Sequence, residues 1–239
     1  MTVRSGAVPP LSVSCLAEYI TRGGRSPESV LRPYKFKDLG EGRARIVFHP
    51  PVLTVIRRFY KSNKDTRVID TAIAAWESKA GKTDKKSVRS KLHSNIKGLR
   101  LFLTRYGNKE FEILPSRKIS YLIEQLIFTA SPDLWVKANG RELLIKVGFG
   151  KKGRSYVDVV LAVMRRAALT HGYRVRQHEA LYLNLRTGEE MFPRFAYKRI
   201  AMTVSTAARQ IARIWPTVTP SAAPASSLSK RRDAIVTYR

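Results

Sequence analysis

In the segment 84–106, Lys86, Arg89, His93, Lys97 and Arg100 recur at spacings of three or four residues. On a helix such residues stand on one face. The stripe contains no acid. It would make and break no bonds; its chemistry is that of tracking phosphates. Two further basic groups follow. One comprises Lys151, Lys152 and Arg154, with Arg165 and Arg166 at the far end of the next helix; the other comprises Lys198, Arg199, Arg209 and Arg213. Tyr156, Tyr173, Tyr182 and Tyr197 are interspersed, as rings that stack on nucleic-acid bases or as half-buried core residues. Gly148-Phe-Gly150-Lys-Lys-Gly153 matches GxGxxG between a predicted strand and a predicted helix. A dinucleotide site fails further out, because the strand before it is the second arm of a hairpin and Arg186, not an acid, ends the next strand. The same backbone N–H groups suit a nucleic-acid phosphate. His49, His93, His171 and His178 have no serine or cysteine partner at a recognisable spacing, which removes support for nucleophilic catalysis. Cys15, the single cysteine, excludes a disulfide scaffold and reads as a bystander in a polar segment.

The composition agrees with the stripes. Forty-five Lys+Arg stand against 18 Asp+Glu, a formal net charge of +27 over 239 residues. A chain this basic meets an acidic partner. Residues 216–239 hold only Lys230, Arg231, Arg232 and Arg239 against Asp233, so nearly all of the excess lies on sequence that reads as folded. Hydrophobic residues make up 44%, enough for a core and too many for wholesale disorder. No run of 18 apolar residues exists, so a membrane span is excluded and a membrane surface is the weakest partner. Pro10–Ala17 is too short and polar for a signal peptide, which makes the cytoplasm the expected location.

The stretch Pro-Asp-Leu-Trp-Val-Lys-Ala-Asn-Gly-Arg-Glu-Leu-Leu-Ile-Lys-Val-Gly-Phe-Gly-Lys-Lys-Gly begins at Pro132, and Leu-Tyr-Leu-Asn-Leu-Arg-Thr-Gly spans Leu181–Gly188. Residues 132–188 resemble the RecB-like branch of the PD-(D/E)xK nuclease fold. That family has an Asp entering one strand, a turn, a strand carrying acid-x-Lys, a basic glycine segment, a helix, and a strand ending in a Thr-Gly turn. The resemblance implies metal-assisted phosphodiester cleavage, with two carboxylates holding Mg²⁺ and a lysine orienting water. Asp133 matches the first carboxylate. In one register Lys146 stands at the acid position and Gly148 at the lysine position; in the other Lys146 is the lysine and Leu144 replaces the acid. Both lose the second carboxylate. Glu142 is the nearby substitute, two residues from position 144, or roughly 6–7 Å along a strand. The implied reading is a DNA-binding scaffold derived from a nuclease and without catalysis. The enzyme alternative is a Mg²⁺-dependent endonuclease using Asp133, Glu142 and Lys146, with Glu124 as a further acid and Asp133 as the metal ligand. The structural alternative is a basic subunit of a larger nucleoprotein or recombination assembly. DNA is preferred to RNA on the resemblance.

The elements that must position these residues are legible in outline. Residues 1–14 read as loose, and residues 1–62 as a poorly defined segment with strands at Val30–Phe36 and Arg45–Phe48 and a helix beginning near Val52. Residues 63–108 form a helical basic segment. One helix runs from Thr66 to Ala80, with Asp65 as N-cap. The other runs over 84–106, with Val88, Leu92, Ile96, Leu99, Leu103 and Tyr106 as its apolar face. Residues 109–215 form an α/β core. Ile119–Phe128 is one strand or short helix, and Asn139-Gly140 joins strands Asp133–Ala138 and Arg141–Phe149. A helix Tyr156–Thr170, a strand Ala180–Arg186 with Met191–Tyr197 as its partner, and a helix Arg199–Trp215 follow. On Arg141–Phe149 one face is Glu142, Leu144, Lys146 and Gly148; the other, Leu143, Ile145, Val147 and Phe149, is the core row. Pro216 opens a flexible basic tail, 216–239. The predicted class is α/β (α+β): a mixed sheet with flanking helices in the C-terminal half, preceded by a mainly helical basic segment.

Overall fold

The computed structural model describes residues 8–36, 50–115, 117–150 and 152–220. Asp65 caps helix α4 (Thr66–Gly81) through a hydrogen bond from the Arg67 N–H, as its position before the apolar period predicts; α3 (Pro50–Lys61) precedes α4 and α5 (Lys86–Tyr106) follows it. Asn139 and Gly140, at φ 49° and 72°, supply the left-handed pair that a two-residue hairpin turn requires. They join β5 (Leu134–Ala138) to β6 (Arg141–Gly148), which pair antiparallel from Leu134↔Ile145 to Ala138↔Arg141. Helix α6 (Arg154–Thr170) returns the chain to β7 (Ala180–Asn184), parallel to β6 in the register Lys146↔Tyr182. With β2 (Glu112–Ile113) and β8 (Glu190–Met191) they form a mixed five-stranded sheet, ordered β2-β5-β6-β7-β8. The observed class is α+β, with the sheets in the C-terminal half and helices on both faces of the larger one.

That sheet separates two cores. Leu134, Val136, Ile145, Val147, Leu181 and Leu183 face α3, α4 and α5; Trp135, Leu144 and Tyr182 face α6, α7 (Tyr197–Ile214) and the N-terminal helix α1 (Val13–Ile20). The expectation of one core row on β6 is therefore too narrow. Leu144 is fully buried on the opposite face, because a strand between two helical layers has no solvated side.

Several other expectations change for physical reasons. Val30–Phe36 is not a strand but most of α2 (Pro27–Lys35). Ser26 caps it from the Ser29 N–H, Pro27 sits in the first turn where no N–H is needed, and Val30 and Leu31 bury the helix despite Pro33 inside it. Arg45–Phe48 lies outside the described residues, as does most of the tail, 221–239. Ile119–Phe128 is a hairpin, β3 (Ile119–Ile123) and β4 (Leu126–Ala130). Glu124 adopts a left-handed φ of 54° in its turn, a conformation no turn dipeptide announces. Residues 8–14 are not loose throughout: β1 (Leu11–Ser12) pairs parallel with β4 and completes a three-stranded sheet, β1-β4-β3. Cys15 is buried within α1 rather than lying in a polar segment. The partner of β7 is only Glu190–Met191, and helix α7 begins at Tyr197. Among the described residues no helix is long and apolar enough to cross a membrane.

Candidate nucleic-acid interface

Asp133 ends the loop before β5, where the strand ladder has not yet formed. Its side chain extends the ladder instead. Oδ2 accepts from the Val147 N–H at 2.8 Å while its own N–H donates to Ile145 O at 2.9 Å. Oδ1 accepts from Lys146 Nζ at 3.1 Å, and the same ammonium donates to Ser131 O at 3.2 Å. Arg57 on α3 donates to the Asp133 carbonyl. About a fifth of each side chain of the Asp133–Lys146 pair is exposed, 23% and 22%. The pair is thus held at the end of the β5–β6 hairpin, under Tyr182, whose hydroxyl crosses the bare backbone of Gly148. A Cβ at that glycine would stand 1.7 Å from the hydroxyl oxygen. Burial, with Tyr156 and Asp133 nearby, pushes the Tyr182 hydroxyl above its usual pKa, so it is a neutral donor or acceptor there.

Glu142 is not drawn to this pair. Its Oε2 accepts from Trp135 Nε1 at 2.8 Å, one turn of the pleat toward the hairpin tip, four residues or roughly 13 Å along the strand from Lys146. Glu124 lies in the β3–β4 turn and binds Arg209 at 3.1 Å. Mg²⁺ takes several oxygen ligands and anionic charge. Here one carboxylate is already bonded to an ammonium and a backbone N–H, and among the described residues no three His, Cys, Asp or Glu side chains gather as a metal-binding group. The residues at Asp133 do not fit the metal.

The basic stripe of α5 is exposed along its length, with Lys86, Arg89, His93, Lys97 and Arg100 all at the surface. The adjacent face buries Leu92, Ile96, Leu99, Phe102 and Tyr106 against the sheet. Gly98 sets the approach: a Cβ there would meet Phe149 at 2.8 Å and Leu185 at 3.2 Å, so α5 lies directly on the ends of β6 and β7. Arg89 donates to Ala80 O and Thr83 O, satisfying the end of α4 without losing its charge. Arg100 pairs with Glu77 of α4 at 3.0 Å. Lys86, His93 and Lys97 have no ion-pair partner among the described residues.

The glycine-loop cations are placed differently. Lys151 lies outside the described residues. Lys152 Nζ binds Glu18 of α1 at 3.0 Å and stands 4.4 Å from the Tyr156 ring centroid. Arg154 reaches Asp158, 3.5 Å away, and the Phe192 carbonyl. Asp158, only 5% exposed, also takes Arg194 at 2.7 Å. Sequence reasoning missed these acids. Asp158 stands one helical turn after Arg154 and could have been read. Glu18, 134 residues from Lys152, could not. Neither a family model, nor a curated protein, nor a solved structure matches the chain, and the reading of its surface rests on its own chemistry.

Proposed function

We propose that this protein binds nucleic acid, with DNA the preferred partner, on a nuclease-like core that lacks the second metal-binding carboxylate and does not cut. The observation that carries this reading is the α5 stripe: exposed cations at helical spacing, firmly mounted on the sheet, in a chain of net charge +27. Such a line neutralises successive phosphates and releases their counterions. The order hairpin, basic glycine segment, helix, parallel strand in β5–β6–α6–β7 supports the nuclease-like resemblance, with Asp133 at the start of the first strand. The engagement of Asp133 by Lys146 and of Glu142 by Trp135 supports a non-catalytic role.

The test pairs a native and a denaturing gel on the same samples of labelled duplex. A mobility shift that weakens steeply with salt, with the DNA intact in Mg²⁺ or Mn²⁺, is the expected result. A shift indifferent to salt would remove the electrostatic mode. Metal-dependent cutting that disappears in Asp133→Ala would replace the reading with an active endonuclease.

A further inference from the structure

The third basic cluster of the sequence meets the far end of the second. Arg165 and Arg166 lie in the C-terminal part of α6, Lys198 in the first turn of α7, and the fold brings them to the walls of one cleft of about 380 Å³. Leu169, Ala196, Tyr197 and Ala201 complete the wall. A space of this size is within the lower range of small-ligand sites.

Two of the three cations are oriented by neutral groups. Arg165 Nε donates to Val175 O at 2.8 Å, which fixes the guanidinium and leaves its terminal N–H groups without a partner among the described residues. Arg166 leans on Tyr121, Nε to the hydroxyl at 3.4 Å, with its guanidinium carbon 5.9 Å from the Tyr197 ring centroid. Tyr197 meets Tyr121 edge-on at 6.0 Å, so the aromatic wall is braced. Lys198 has no ion pair among the described residues. Among the described residues no acid lines the cleft. Glu124, a carboxylate whose charge reaches Tyr197, is held by Arg209 at 3.1 Å. The cleft therefore gathers three cations with no carboxylate among its described lining residues. The first turn of α7 adds to this, having neither a side-chain N-cap nor an acid.

We propose that the α6–α7 cleft seats one phosphate of a bound DNA strand, held by Arg165, Arg166 and Lys198, with its nucleoside against Tyr197. The guanidinium fork matches the phosphate oxygens two at a time, and the lysine adds a point charge. The proposal rests on the nucleic-acid reading above and deepens it, since it assigns the phosphate to a concave seat and not to the α5 stripe alone.

The experiment compares the full chain with its Arg166→Ala/Lys198→Ala variant. Both residues are exposed, and an unchanged melting temperature verifies that the variant folds. Affinity for a fluorescent duplex is read by anisotropy across a salt series. Inorganic phosphate and a nucleoside monophosphate are titrated separately by thermal shift. The proposal expects wild-type binding, an affinity loss of about 10-fold or more in the variant, and a salt slope shallower by about 1. Arg166→Lys should recover part of the loss. Equal affinity and slope for both proteins would overturn the cleft while leaving the nucleic-acid reading intact. If wild type ignores duplex but is stabilised by free phosphate and the variant is not, the nucleic-acid reading and the strand phosphate both fall, leaving a seat for small phosphates.

Discussion

The two ends of helix α6 are both basic in sequence and opposite in circumstance. At the N-terminal end Lys152 faces Glu18 and Arg154 faces Asp158, and both cations are tied into the packing of α1 and of the Arg194 segment. At the C-terminal end Arg165 and Arg166 face Lys198 across a cleft that no acid lines among the described residues. The first end sets its positive charge against carboxylates that lie in the packed interior. The second leaves positive charge for something else. A count of basic residues cannot separate the two; the partner brought by the fold does. Along α5 the same division runs within one helix, where Arg100 has Glu77 and Lys97 has no acid among the described residues.

The contrast can be broken most forcefully at Asp158. Its carboxylate accepts from the Arg194 backbone and guanidinium and lies near Arg154, almost fully enclosed. Asp158→Ala leaves two arginines facing each other, and should cost about 3 kcal/mol, roughly 6–12 °C in melting temperature for a chain of this size. A thermal melt decides it; a change under 2 °C would mean that the N-terminal end of α6 is no more structural than the cleft. On the unpaired side, Lys86→Glu with Lys97→Glu should leave the melting temperature within about 2 °C, since surface substitutions of this kind stay near 0.5 kcal/mol. The same variant should weaken duplex binding about 10-fold and flatten its salt dependence, which anisotropy at several salt concentrations would measure.

Glu18→Gln sharpens the comparison further. It removes the acid opposite Lys152 but keeps the shape, with an expected loss of about 1 kcal/mol by denaturant titration. Because it frees a cation near the surface, duplex affinity should rise slightly, and a fall would show Lys152 acting through Glu18. The smallest expected effect is at Cys15. Its burial, with Glu18 beside it, pushes the thiol far above its ordinary pKa, so the thiolate is suppressed in the folded state. A thiol reagent at mildly alkaline pH should label it only on denaturation. Prompt labelling of the native protein would mean that α1 opens readily and that Glu18 is not held against Lys152.

What could be read without coordinates was local. Asp65 before α4, the i, i+4 apolar row of α5, the Asn139-Gly140 turn and the helix after the glycine loop depend on residues within a few positions of each other, and they stand where their sequence places them. The α5 stripe was legible for the same reason, helical spacing being enough to put five residues on one face. What was illegible depended on distant residues. Val30–Phe36 reads as an edge strand until Ser26 and Pro27 are seen to cap a helix whose Val30 and Leu31 have a core to enter. Leu11–Ser12 becomes a strand only because β4 lies beside it, more than a hundred residues later.

The chemistry divides along the same line. The sequence by itself determined the charge, the order of side chains along β6 and the spacing of the α5 cations, since these are facts of composition and local periodicity. Only the tertiary structure decided which cations are spent. It bonded Asp133 to Lys146 across the β5–β6 pair, gave Lys152 to Glu18, and left Arg165, Arg166 and Lys198 together. The strength of an ion pair depends on separation and surrounding dielectric, and neither is written in the order of residues along the chain.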